Sequence, residues 1–152
     1  MTRANARELA VHLIYAREFT GDEPEMVIAT RMEKEYYSQL SGENPVYEDR
    51  PNRAQRAYID SVVIGVANRT DELNEIISQY SIDWDISRIS RLTRTILQLA
   101  IFEIKFVEDV PTGVAISEAV RIVKLYDTEE AGAFVNGILG SFARSLSSEV
   151  SV

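Results

Sequence analysis

From Thr93 to Lys105 the chain reads Thr-Arg-Thr-Ile-Leu-Gln-Leu-Ala-Ile-Phe-Glu-Ile-Lys, with neither glycine nor proline to interrupt a helix. Its apolar residues, Ile96, Leu97, Leu99, Ala100, Ile101, Phe102 and Ile104, fall almost all round the helical wheel. A surface helix buries one stripe, whereas a helix apolar on most sides has to be covered by several neighbours. This segment is therefore expected at the centre of a helical bundle. Arg88, Arg91, Arg94, Thr95, Gln98 and Lys105 are expected to gather on its one polar face.

The residues after it supply two further helical patterns, joined by a short acidic break. In the first, Ile116, Ala119, Val120 and Val123 share a face. In the second, Ala131, Phe134, Val135, Ile138, Leu139, Phe142 and Ala143 repeat at three and four residues as a near-unbroken stripe. Asp127 and Glu130 have capping-box spacing, which places the start of that helix at Asp127. Gly137 and Gly140 each cost roughly 1 kcal/mol against alanine in a helix interior, so a neighbouring backbone is expected to pack close there. Asn136 beside the stripe is expected as a hydrogen-bonded linchpin between helices, with a ligand role as the alternative.

Upstream, Thr2 to Phe19 reads as an amphipathic helix with Ala6, Leu9, Ala10, Leu13 and Ile14 inward. Arg3, Arg7, Val11 and Tyr15 form an i, i+4 row expected toward its outer side. A second helix follows, with Ile28, Met32, Tyr36 and Leu40 at steps of four. Residues 41–52, with Gly42, Pro45 and Pro51, read as a loop on which Tyr47 is expected to be exposed. A third helix from Arg53 to Arg69 turns Tyr58, Ile59, Val62, Val63 and Val66 inward. Thr70 is expected to cap a shorter helix through Leu73, Ile76, Ile77 and Tyr80, with Asp71, Glu72 and Glu75 favouring its dipole. Residues 81–86, with Trp84 as a packing anchor, form the natural seam. The fold class is all-α: a bundle of about seven helices in two packed helical subdomains, about 1–81 and 82–146, followed by a flexible tail at 147–152.

Composition narrows the function classes. The 152 residues suit one domain with a real core. There is no cysteine, which removes disulfides, thiolate metal sites and cysteine nucleophiles. His12 is the only histidine, so a two-histidine metal site is impossible. Gly137-Ile138-Leu139-Gly140 lies within a helical pattern with no preceding strand, so it is neither a phosphate loop nor a dinucleotide fingerprint. Glu129-Glu130 sits at a helix start, where dipole and capping account for it. No catalytic constellation, cofactor or metal is expected. No apolar run reaches the length of a membrane span, and the N-terminus lacks a signal-peptide core, which points to a cytoplasmic protein. The formal net charge is -8, from 16 Lys plus Arg against 24 Asp plus Glu. That balance opposes generic nucleic-acid binding and demands a local basic patch for any RNA contact.

Two motifs in the C-terminal third resemble the NusB family of transcription antitermination proteins. The first is Pro111 with Val114-Ala115-Ile116-Ser117-Glu118-Ala119-Val120 and Lys124, where relatives carry asparagine in place of Ser117. The second is Phe134-Val135-Asn136-Gly137-Ile138-Leu139. Similar too are Ala6-Arg7-Glu8, Ala10-Val11-His12 and Ile14-Tyr15 near the start, Gly65-Val66, and Trp84 followed by Thr93 to Ala100 and Phe102-Glu103-Ile104. The likeness runs from about Arg3 to Arg144. Gln98 stands where relatives have arginine, and Gly132 and Ala133 stand where relatives offer polar or basic RNA contacts.

The resemblance implies recognition of a boxA-like single-stranded element in ribosomal RNA leader transcripts. Relatives do this with a small-subunit ribosomal protein, also called NusE, inside an RNA polymerase antitermination complex. The implied RNA-binding residues are Arg3, Arg7, His12, Tyr15, Glu130 and Phe134, with arginines on phosphates and aromatics on unpaired bases. The implied partner-binding residues are unknown, and the resemblance allows a monomer or a homodimer. Two other readings stay open: a protein–protein adaptor without RNA binding, and a relative of the RNA-binding front end of a ribosomal-RNA cytosine methyltransferase. The chain carries no strand-rich, glycine-loop cofactor domain, so it is not expected to be that whole enzyme.

Overall fold

The computed structural model describes residues 1–81 and 89–150, with side chains through residue 147. Arg88, Trp84 and the expected seam at 82–86 lie outside the described residues. Among the described residues all regular structure is helical: α1 (Arg3–Thr20), α2 (Pro24–Arg31), α3 (Lys34–Leu40), a 3-10 turn (Pro45–Tyr47), α4 (Arg53–Asn68), α5 (Thr70–Tyr80), α6 (Arg91–Phe106), α7 (Thr112–Tyr126) and α8 (Glu129–Val150). Two compact units divide at Asn68 and Arg69. Helix α5 packs on α6 and α8 and so belongs with the second unit, although the sequence pattern groups it with the first. Helix α8 continues past residue 146 to Val150.

In the first unit α1 packs along α4 and is also contacted by α2 and the 3-10 turn. Thr2 caps α1 by accepting a hydrogen bond from the Asn5 backbone N–H at 3.0 Å. Gly21, at φ 70°, closes it in the left-handed cap that favours glycine. Ala6, Leu9, Ala10, Leu13 and Ile14 are buried as expected, each larger side chain contributing about 1.5–3 kcal/mol. Arg7, Glu8 and Val11 are buried as well, so the row Arg3–Arg7–Val11–Tyr15 is not an outer face. Tyr58 on α4 accounts for part of this, because its ring lies 5.9 Å from the Arg7 guanidinium.

The row Ile28–Met32–Tyr36–Leu40 does not belong to one helix. Glu33 breaks it: its carboxylate accepts hydrogen bonds from the N–H groups of Glu35 at 3.0 Å and Tyr36 at 2.9 Å, starting α3 afresh. The new phase buries Tyr37 in place of Tyr36. This extra break raises the helix count above the expected seven. Segment 41–52 is tied down by the same residue, since the Tyr37 hydroxyl donates to the Asp49 carbonyl at 2.7 Å. Burial pushes that phenol up to about 12, which keeps it a donor. Arg50 donates to the Met32 carbonyl at 2.6 Å. Tyr47 is therefore not exposed but buried, its ring 5.3 Å from that of Tyr37. At the start of α4, Asn52 and Gln55 cap each other, each backbone N–H donating to the other's side-chain oxygen at 2.9 Å.

In the second unit α6 is contacted by α5, α7 and α8, as its all-round apolar surface requires. Its polar strip is divided. Thr95 and Gln98 are buried, Thr95 donating to the Arg91 carbonyl at 3.0 Å and Gln98 to Asn74 at 2.8 Å. Lys105 instead points outward, pairing with Glu72 at 2.6 Å. On α7 the fully buried positions are Ala115, Ala119, Ile122 and Val123, while Ile116 and Val120 are only half-buried. On α8 Phe134, Val135, Ile138, Leu139 and Phe142 are buried along the expected stripe.

Four capping and packing expectations change. Thr70 is the first residue of α5, and its N-cap, Arg69, makes no side-chain cap bond. Thr128, not Asp127, caps α8 by accepting from the Ala131 N–H at 3.1 Å. Asp127 reaches instead to the start of α6, accepting from the hydroxyls of Ser90 at 2.9 Å and Thr93 at 2.7 Å. Asn136 and Gly137 are exposed, so Asn136 is not buried as a linchpin. Gly132 lies under α7, where an added Cβ would lie 3.2 Å from Lys124 Cε, whereas at Gly140 it would meet Arg144 of its own helix.

Candidate nucleic-acid interface

The N-terminus of α1 is built against the first turns of α4. Gln55 Nε2 donates to the Met1 carbonyl, which fixes where the helix begins. One turn further along α4, Tyr58 presents its ring to both arginines of α1. The Arg3 guanidinium lies 4.4 Å from the ring centroid and that of Arg7 5.9 Å. Both distances fall within cation–π range. The two arginines differ in access: Arg3 is exposed, while Arg7 is only 3% exposed.

His12 faces the 3-10 turn. Its Nδ1 shares a hydrogen bond of 2.8 Å with the Tyr47 hydroxyl, and its Nε2 lies 4.0 Å from the Glu8 carboxylate. Burial lowers its pKa from the ordinary 6.5, with Glu8 opposing and Arg31 adding to the shift. His12 thus ties α1 to the 41–52 segment as a largely neutral imidazole. One turn on, Tyr15 is half-buried and meets Phe19 edge to face at 4.9 Å. Phe19 is 59% exposed, which gives the C-terminal end of α1 an open aromatic surface.

Glu130 and Phe134 belong to the second unit, on successive turns of α8. Their i, i+4 spacing stacks them on one side of the helix, with Glu130 exposed and Phe134 buried. Arg3 and Arg7 are therefore brought together by Tyr58, Tyr15 is paired with Phe19, and His12 with Tyr47. Tyr58, Gln55 and Phe19 were not legible as site residues. Tyr58 sits in an inward-facing apolar row, and only the Asn52-x-x-Gln55 spacing marks that α4 starts beside something it must cap. Among the described residues no group of three His, Asp or Glu side chains is placed to hold a metal ion, and no helix is long and apolar enough to cross a membrane.

Comparison with known proteins adds the ancestry. The NusB family profile matches residues 4–144. A transcription antitermination protein NusB of Acetivibrio thermocellus is 38% identical over 144 residues, covering 95% of this chain and 90% of that protein. Its counterpart in Symbiobacterium thermophilum is 33% identical over 146 residues, covering 96% and 92%. Among solved structures, T. maritima NusB superposes with a TM-score of 0.76 at 26% identity, covering 95% of this chain and 92% of that one. A crystal structure of antitermination factors NusB and NusE in complex with dsRNA shares the fold, with a TM-score of 0.72 at 24% identity over 94% of this chain and 96% of that one. The match runs through α1, α4, α6 and α8 alike, and the chain belongs to the NusB family.

Proposed function

We propose that this chain is a transcription antitermination factor that binds boxA-like single-stranded RNA of ribosomal RNA leaders together with the ribosomal protein NusE. The observation that carries this is the near full-length similarity to transcription antitermination proteins, at 33–38% identity. The NusB–NusE–dsRNA complex of the same fold supports the choice of partners. The role is recognition and scaffolding in the cytoplasm rather than turnover, with the RNA polymerase antitermination complex as its setting.

Burial divides the work among the RNA-site residues. Arg3 meets a phosphate, and Tyr15 with its neighbour Phe19 offers a stacking surface to an unpaired base. Glu130 borders the RNA from α8. Arg7, His12 and Phe134 act from beneath, holding the surfaces that the others present. A net charge of -8 repels RNA at long range, so affinity without the ribosomal partner is low.

Fluorescence anisotropy of labelled boxA RNA against a scrambled control, at two salt concentrations and with or without NusE, tests the reading. Selective tightening of boxA binding by NusE is the expected result. Absence of binding to either RNA under every condition overturns it. That outcome would favour a protein–protein adaptor, a reading to which the burial of Arg7 already lends weight.

A further inference from the structure

We infer that Tyr58 of α4 is a positioning residue for RNA binding, acting through Arg3. The inference rests on the RNA-binding reading above and deepens it by naming what orients the phosphate-binding cation. An arginine side chain on a helix end samples many rotamers, and each one frozen on binding weakens the complex. Here the guanidinium of Arg3 is stacked before any ligand arrives, 4.4 Å from the Tyr58 centroid. The contact holds the guanidinium at a set distance from α4.

The ring itself has little freedom to move. Tyr58 is buried in the row with Ile59, Val62 and Val63, and the Arg7 guanidinium lies 5.9 Å from it. Gln55, one turn earlier on the same helix, holds the Met1 carbonyl and so fixes the backbone from which Arg3 projects. Two successive turns of α4 therefore set both the root and the tip of the Arg3 side chain. In a chain with net charge -8, holding one cation ready is worth more than the same residue left mobile.

A double-mutant cycle on the full chain tests this, using the labelled boxA RNA with NusE present. Tyr58→Leu is expected to weaken binding about two- to fivefold, the range of an exposed cation–π contact, while Tyr58→Phe stays within about twofold of the parent. Tyr58→Leu is expected to have no further effect in an Arg3→Ala background, because its influence passes through Arg3. Additive losses would overturn the positioning role, since a purely structural defect would weaken both backgrounds equally. Should Tyr58→Leu fail to fold, NMR of the unmodified chain decides: upfield ring-current shifts of the Arg3 side-chain protons, kept in Tyr58→Phe, support the stack, and random-coil shifts overturn it. If the parent protein binds no RNA, the functional reading falls with the inference. An RNA-binding parent with an additive cycle sinks the inference alone.

Discussion

Replacing Asp127 by alanine should destabilise the second unit through the loss of one acceptor that serves two helices. Its Oδ2 accepts from Ser90 at 2.9 Å and Thr93 at 2.7 Å, and its Oδ1 accepts from the Thr128 N–H at 2.8 Å. Hydrogen bonds to a charged group contribute about 1.5–3 kcal/mol each when buried, but Asp127 is partly exposed and water replaces some of the loss. Thr93 is fully buried and loses the acceptor for its O–H, although the Ser90 hydroxyl, 3.1 Å away, becomes free to donate to its oxygen. The net cost is therefore about 1–2 kcal/mol, or about 2–8 °C in Tm for a chain of this size. The Thr93 hydrogen bond, against an opposing effect of burial and helped by Thr128 and Ser90, holds the Asp127 carboxyl below its ordinary 3.8. A depressed carboxylate stabilises the fold above its unfolded pKa and loses that contribution as pH falls through the folded value. Thermal melts of the parent and Asp127→Ala should therefore separate at pH 7, and the gap should narrow as pH drops well below 3.8. A difference under about 0.5 kcal/mol at pH 7, or one unchanged in acid, would refute the clamp.

Four further outcomes follow from the same structure. Because burial lowers the pKa of His12, stability should fall as pH drops below 6.5 and level off once the folded-state pKa is passed. His12→Gln should flatten that part of a pH–Tm profile. Gly132→Ala should be neutral or stabilising by up to about 1 kcal/mol, since the atoms it meets belong to the flexible Lys124 side chain. Gly21→Ala, at φ 70°, should instead cost about 1 kcal/mol in a urea titration. Without NusE, the salt dependence of RNA binding should be shallow and Arg3→Ala should reduce its slope by about 0.7, the share of one phosphate on a single strand. An unchanged slope would remove Arg3 from the phosphate contacts.

The legible parts of this fold are those where one physical rule acts alone. Helix α6 carries apolar residues on most sides, and a central place covers them. The inward residues of α4 and the stripe of α8 follow directly from helical spacing. Legibility fails where two rules compete. Ile28, Met32, Tyr36 and Leu40 keep perfect steps of four across a helix break, because Glu33 is an uncommon capping residue and gives little warning. Tyr47 sits among turn-forming residues, and nothing local announces that Tyr37 and His12 will hold it down. Asp127 has capping-box spacing, yet its Oδ2 goes to the start of α6, a partner distant in sequence.

The candidate site shows the same competition at closer range. Charged residues on a helix are assigned to solvent because burying an unpaired charge is costly. That rule places Arg3 and Arg7 on one outer row, and it holds for Arg3. Arg7 is instead buried, with the Tyr58 ring of α4 5.9 Å from its guanidinium. A guanidinium, weakly hydrated and flat, tolerates such a position better than an ammonium would. The number of arginines on α1 is thus a poor measure of how many phosphates it can engage. What matters is which guanidinium stays accessible and how well its geometry is set beforehand. By that measure the acidic composition and the RNA-binding reading are compatible: of the row Arg3–Arg7, Arg3 is exposed with its guanidinium 4.4 Å from the Tyr58 ring, and Arg7 is buried beside the same ring.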